Sequence, residues 1–308
     1  MPKMNINRSL IIDAPSEKIY AVLNNLNHWK KWSPWVIAEP DAHIDVAADG
    51  KYHEWEGNVI GSGNLKIVDE KENAYIKMDL TFLKPWKSQA TTELILHPQG
   101  EKTLVVWKMQ SSLPFFLFWM KKQMEIFVGM DYDRGLGLLK DLIETGKTNC
   151  SLDFQGEKEY PALQYIGVKT QCPFDEIGPN MEKDFTRLMA YIMPKHAEKI
   201  NGPAVSIYHK TDPVKNKVVY TAGIPLSEIP KDLPEGIIVG NVPATKGYSI
   251  KHTGPYRHIG NAWSAGMMHQ RGKVFKSKRT PPQMELMHNS PKNTPENDLV
   301  SEIVFPCK

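Results

Sequence analysis

Cysteine is scarce in this chain, with three among 308 residues. Cys150, Cys172 and Cys307 are odd in number and far apart, and none stands in a CxxC or Cys/His spacing. That excludes a disulfide framework and a zinc site, and it fits a reducing compartment. Long apolar runs are missing as well. The longest, Leu113 to Met120, contains Pro114 and falls far short of the roughly 20 residues that a membrane-crossing helix needs. Met1 to Arg8 has no apolar stretch of the kind found in signal peptides, so a cytoplasmic location is expected. Nor is there an excess of one charge: 38 basic residues face 35 acidic ones, for a net charge of +3. A chain so balanced presents no strong field for nucleic acid. Its one basic cluster, Arg271, Lys273, Lys276, Lys278 and Arg279, lacks interleaved aromatics and reads as a solvated surface. No GxSxG, HExxH, P-loop or dinucleotide fingerprint occurs, so neither a metal nor a cofactor is expected.

What is present is an ordinary globular composition, 41% hydrophobic and 24% charged, over a length that suits two domains. Helical periodicity runs from about Phe118 to Thr145 and stops at Gly146, and polar residues follow to about Tyr160. The expected division is therefore residues 1–150, a linker at 151–158, and a second domain at 159–308. Strand alternation marks Asn5 to Ile12, Lys51 to Trp55, Leu65 to Asp69, Ala74 to Phe82, Gln89 to His97 and Thr103 to Met109, the last two flanking a turn at Pro98-Gln99-Gly100. In the closing helix Met124, Val128, Tyr132, Leu136, Leu139 and Ile143 form one apolar stripe. These elements predict an antiparallel sheet curved around a long helix, with a cavity between them.

The second half contains an internal repeat. Pro203 to His209 aligns with Pro282 to His288, and Val219 to Pro225 with Val300 to Pro306. Each pair follows a strand, Gln164 to Thr170 or Tyr248 to Thr253, and a helix, Glu176 to Met193 or Ile259 to Gln270. The fold class expected for the whole chain is thus α+β, a helix-grip domain followed by a duplicated β-α-β-β domain with a groove between its two units.

The first domain resembles the START-like or Bet v 1-like helix-grip superfamily (SRPBCC), in particular its polyketide cyclase/dehydrase group. The resemblance rests on Ala14 to Tyr20, on Trp29, Trp32 and Trp35, on Tyr52 to Gly57 with Gly61 to Gly63, and on Gly135 to Lys140. The second domain is similar to the GyrI-like effector-binding family. The matching residues are Gly202-Pro203, Ser206 to His209, His252 to Tyr256, Met284 to Leu286 and Ser301 to Pro306. The resemblance implies binding of small apolar or cationic molecules by a buried glutamate among aromatic rings, and in some stand-alone members hydrolysis of reactive compounds. Leu286, Met287 and Val304 stand where relatives often carry aromatics, which weakens the case for a tight aromatic cage.

Glu285 and Glu302 are the candidate acids. Taking Glu285 to lie opposite Glu302 across the last hairpin puts both on one face, where they would attract a cation or act as general base and acid. Tyr208, Tyr220, Tyr256 and Trp263 are candidate ligand contacts. His209 and His288 occupy equivalent strand ends without metal-ligand spacing. In the first domain Trp55, Trp107 and Tyr132, with Met109 and Leu136, are expected to line the cavity or to fill the core. The run from Pro114 to Trp119 reads as buried beneath the sheet, as a gate, or as a contact surface. Three functional classes stay open: a small-molecule binding protein for sensing, sequestration or resistance; a hydrolase or cyclase; and a module that modulates another protein such as DNA gyrase.

Overall fold

The computed structural model describes residues 3–113 and 115–308, without the side chains of Phe115 and Phe116. Two compact units divide at Cys150/Ser151, and Met267–Gly272 groups with the first.

Strand β1 (Lys3–Ile12) opens the first unit and runs into α1 (Ser16–Leu23), where Pro15 precedes the helix in an extended conformation. Then come β2 (His43–Val46), β3 (Tyr52–Glu56), β4 (Ser62–Lys71), β5 (Tyr75–Lys84), β6 (Ser88–Gln99) and β7 (Lys102–Ser112). The seven strands form one antiparallel sheet in the order β1-β7-β6-β5-β4-β3-β2. Of these, β2 went unread in the sequence, being only four residues long. Helix α2 (Lys121–Thr145) follows a short 3-10 turn and ends at Gly146, whose φ of 81° places it in the left-handed region that glycine adopts without strain. The predicted stripe is buried at Tyr132, Leu136, Leu139 and Ile143. Gly135 lets this helix approach the sheet closely, since a Cβ there would stand 2.7 Å from the Trp107 ring.

In the second unit the chain runs through β8 (Ser151–Tyr160), β9 (Leu163–Cys172), α3 (Ile177–Ile192), β10 (Ala204–Asp212), β11 (Lys217–Pro225), β12 (Ile238–Val242), β13 (Thr245–Thr253), α4 (Gly260–Arg271), β14 (Gln283–Met287) and β15 (Val300–Pro306). These eight strands make one sheet in the order β12-β9-β11-β10-β14-β15-β13-β8. The segment expected to be a linker, 151–158, is instead most of β8, paired with β13 along its whole length. Its polarity misled because an edge strand needs to bury only part of its surface, and its alternation is broken by a bulge opposite Ser249 and Ile250.

The two faces of this sheet have different fates. Tyr220, Ala222 and Ile224 pack with Leu188 and Ile192 of α3, while Val205, Ile207, Met284, Leu286 and Val304 form a separate cluster with Tyr165 and Val242 on the other side. Alternation along the strands produces both clusters.

Candidate functional site

The hairpin register decides how the two candidate acids relate. Leu286 pairs with Glu302, and Glu285 pairs with Ile303. Directly paired residues share a face, and a shift of one residue inverts it. Glu285 and Glu302 therefore lie on opposite faces and do not form a carboxylate pair, in correction of the expectation above.

Glu285 lies on the helix-covered side, level with Ser206 of β10. It is 4% exposed. The Tyr208 hydroxyl and the Trp263 Nε1 both donate to its Oε2, at 3.2 and 3.3 Å. Neither bond touches Oε1, and no cationic side chain pairs with this carboxylate among the described residues. Burial pushes the group up to about 7, against the opposing effect of the two hydrogen bonds. Tyr208 and Trp263 meet edge to face, with centroids 4.8 Å apart, and burial together with the Glu285 charge raises the hydroxyl of Tyr256. Tyr220 is directed elsewhere: its hydroxyl donates to Asp184 at 2.8 Å. Of the aromatic candidates in this domain, the fold thus brings Tyr208 and Trp263 into contact with Glu285.

Glu302 sits on the opposite face at the wall of an open groove of about 780 Å³ lined by Leu163, Pro203, Val242, Met284, Leu286 and His288, among others. Its Oε1 accepts from the Tyr160 hydroxyl at 2.5 Å and from Lys158 Nζ at 2.7 Å, and His288 Nε2 lies 3.0 Å from Oε2. Burial by itself would raise this acid, but the bonds from His288, Lys158 and Tyr160 outweigh it and hold the carboxyl well below the usual range. Lys158 and Tyr160 were not anticipated. Both belong to β8, Lys158 in the stretch taken as a linker and Tyr160 just past it, and Tyr160 meets Glu302 across 142 positions of sequence, so no local pattern announces the contact.

In the first unit Trp107 and Tyr132 are 1% and 2% exposed and stack with centroids 3.9 Å apart. Trp107 donates to Thr92 Oγ1 at 2.9 Å, and the same oxygen lies 3.1 Å from the Tyr132 hydroxyl. Trp29, Trp32 and Trp35 pack edge-on against Trp107, so these rings fill the grip interior around the two residues. Trp55 is half-buried against Phe82 and His53. His53 is itself buried, with no hydrogen bond to either ring nitrogen, and burial lowers it to about 4. In the 3-10 turn before α2 the expectation of burial fails for two residues, Phe118 and Trp119, which are 61% and 66% exposed. Pro114 and the side chains of Phe115 and Phe116 lie outside the described residues. No helix among the described residues is long and apolar enough to cross a membrane.

The family described as polyketide cyclase / dehydrase and lipid transport matches residues 3–144, and the family described as GyrI-like small molecule binding domain matches residues 157–308. No curated protein is detectably similar. Solved structures similar to the chain include the Aha1 dimer from Colwellia psychrerythraea, at 21% identity over 47% of this chain and 98% of that one, with a TM-score of 0.35. Protein CV1439 from Chromobacterium violaceum is 14% identical over 46% of this chain and 98% of its own, with a TM-score of 0.36. The C-terminal domain of EcmrR is 19% identical over 50% of this chain and 98% of its own, with a TM-score of 0.39. The chain joins a domain of the polyketide cyclase / dehydrase and lipid transport family, at residues 3–144, to a GyrI-like small molecule binding domain at residues 157–308.

Proposed function

We propose that the second domain binds small hydrophobic cations at Glu285, in the service of sensing, sequestration or resistance. One observation carries the reading: a carboxylate 4% exposed, bonded through Oε2 and flanked by Tyr208 and Trp263, has no cation of its own among the described residues. A buried carboxylate without a counter-charge is costly, and an organic cation relieves that cost while the aromatic faces contribute cation-π attraction. The family description, a small molecule binding domain, supports the class of ligand.

The same reading treats this domain as a duplicated β-α-β-β unit. Supporting it, Ser206 and Glu285, which the repeat aligns, lie side by side on adjacent strands, the Ser206 hydroxyl meeting Met181 Sδ of α3 at 3.3 Å and Glu285 meeting Trp263 of α4. The acid and the indole thus belong to one unit alone and are not required by the repeat.

Tetraphenylphosphonium titrated into the full chain tests the proposal by calorimetry. Binding is expected to be lost in Glu285→Gln. It is also expected to weaken about tenfold per pH unit below about 7, because the ligand must displace the proton. Equal affinity in wild type and Glu285→Gln would refute it.

A further inference from the structure

The groove on the opposite face carries a second constellation. Glu302 is held as an anion by Lys158 and Tyr160, and an ionised carboxylate only accepts hydrogen bonds. In the neutral imidazole of His288 the proton therefore sits on Nε2, 3.0 Å from Glu302 Oε2, and Nδ1 keeps its lone pair. Glu302 is 3% exposed at the side chain and His288 35%, and both line the groove. No hydrogen bond engages Nδ1 among the described residues. A carboxylate that fixes an imidazole tautomer and leaves the other nitrogen open is the arrangement general-base chemistry needs. Nor does the sheet require it structurally: at the corresponding positions of the first half, His209 Nε2 meets Thr221 Oγ1 at 2.7 Å, with no charge.

We infer that this groove is a hydrolytic site for neutral carboxylic esters with apolar groups, with His288 as the catalytic base and Glu302 as its positioning residue. The substrate class follows from the walls. Leu163, Pro203, Val242, Met284 and Leu286 are apolar, and Lys158 is neutralised by Glu302, so no uncompensated charge selects an ion. A volume of about 780 Å³ accommodates a small ester. In the reaction the oxygen of a water bonds to the carbonyl carbon as its proton passes to His288 Nδ1. The tetrahedral adduct then collapses with cleavage of the bond to the alkoxy oxygen, and the proton moves from Nδ1 to the departing alkoxide. Acid and alcohol are released and the base is restored.

The test is hydrolysis of 4-nitrophenyl butyrate and octanoate by the full chain. His288→Asn is expected to lower kcat/KM at least about 100-fold, the usual share of a general base. Glu302→Gln is expected to lower kcat with KM little changed, whereas loss of groove structure would move both. His43→Ala, at an exposed imidazole in the first unit, serves as the control for adventitious hydrolysis and is expected to leave the rate unchanged. Far-UV circular dichroism checks that each variant is folded. If His288→Asn misfolds, Leu286→Trp, which fills the groove, must abolish turnover in its place. Turnover no faster than that of free imidazole at equal concentration would overturn the assignment, as would full activity in His288→Asn. Phosphonium binding at Glu285 is read separately, so either proposal can fail without the other.

Discussion

Replacing Glu285 with glutamine should stabilise the second domain, and should do so only where the wild-type carboxyl would be charged. Burial raises this acid from 4.5 to about 7, so between those values the folded state holds a proton that the unfolded state has released. Stability from this group is therefore fully present below about pH 4.5 and is lost as pH rises to about 7. At about 1.4 kcal/mol per unit, the loss amounts to about 3 kcal/mol in order of magnitude, most of it between pH 5 and 8. Glutamine cannot ionise, yet its carbonyl can still accept from Tyr208 and Trp263. Urea denaturation followed by circular dichroism at several pH values from 5 to 8.5 gives the difference between variant and wild type. Subtracting one from the other removes the groups common to both, Glu302 and the buried histidines included. The variant should gain about 2 to 3 kcal/mol over the wild type across this range, the rise centred below pH 7. A difference that stays flat with pH would mean that Glu285 ionises like an exposed carboxylate, and the proton linkage of cation binding would fall with it.

Two further outcomes concern the first unit. His53, lowered by burial from 6.5 to about 4, binds fewer protons folded than unfolded between those values. The first unit should therefore lose up to about 3 kcal/mol as pH falls from 6.5 to 4; His53→Leu should flatten that part of its acid-unfolding curve, and an unchanged curve would contradict the burial argument. Gly135→Ala should destabilise the same unit by about 1 to 3 kcal/mol, the usual cost of overpacking, because the new Cβ would stand 2.7 Å from Trp107. The lower urea midpoint of its transition measures this.

Much of the architecture was legible because it depends on local repetition. The stripe from Tyr132 to Ile143 reappears as the buried side of α2, and the alternation of residues 89–97 and 103–109 reappears within β6 and β7. The repeat that aligned Ser206 with Glu285 also put these two side by side on adjacent strands. Where the reading failed, the missing information was a relation between distant segments. A polar stretch such as 151–158 carries no apolar pattern that distinguishes an edge strand from a linker, and only its pairing with β13 makes it a strand.

From the sequence alone come the two halves, most of the strands and helices of each, and the identity of Glu285, Glu302, Tyr208 and Trp263 as residues worth watching, since composition and period are properties of the chain itself. Tertiary structure alone decided which of them meet. Pairing Leu286 with Glu302 sends the two acids to opposite faces, because strand side chains alternate with a period of two and the register between strands is set by packing across the whole sheet. By the same means one glutamate is buried among aromatic rings, and the other is held as an anion by a lysine and a tyrosine of β8 and a histidine just beyond β14.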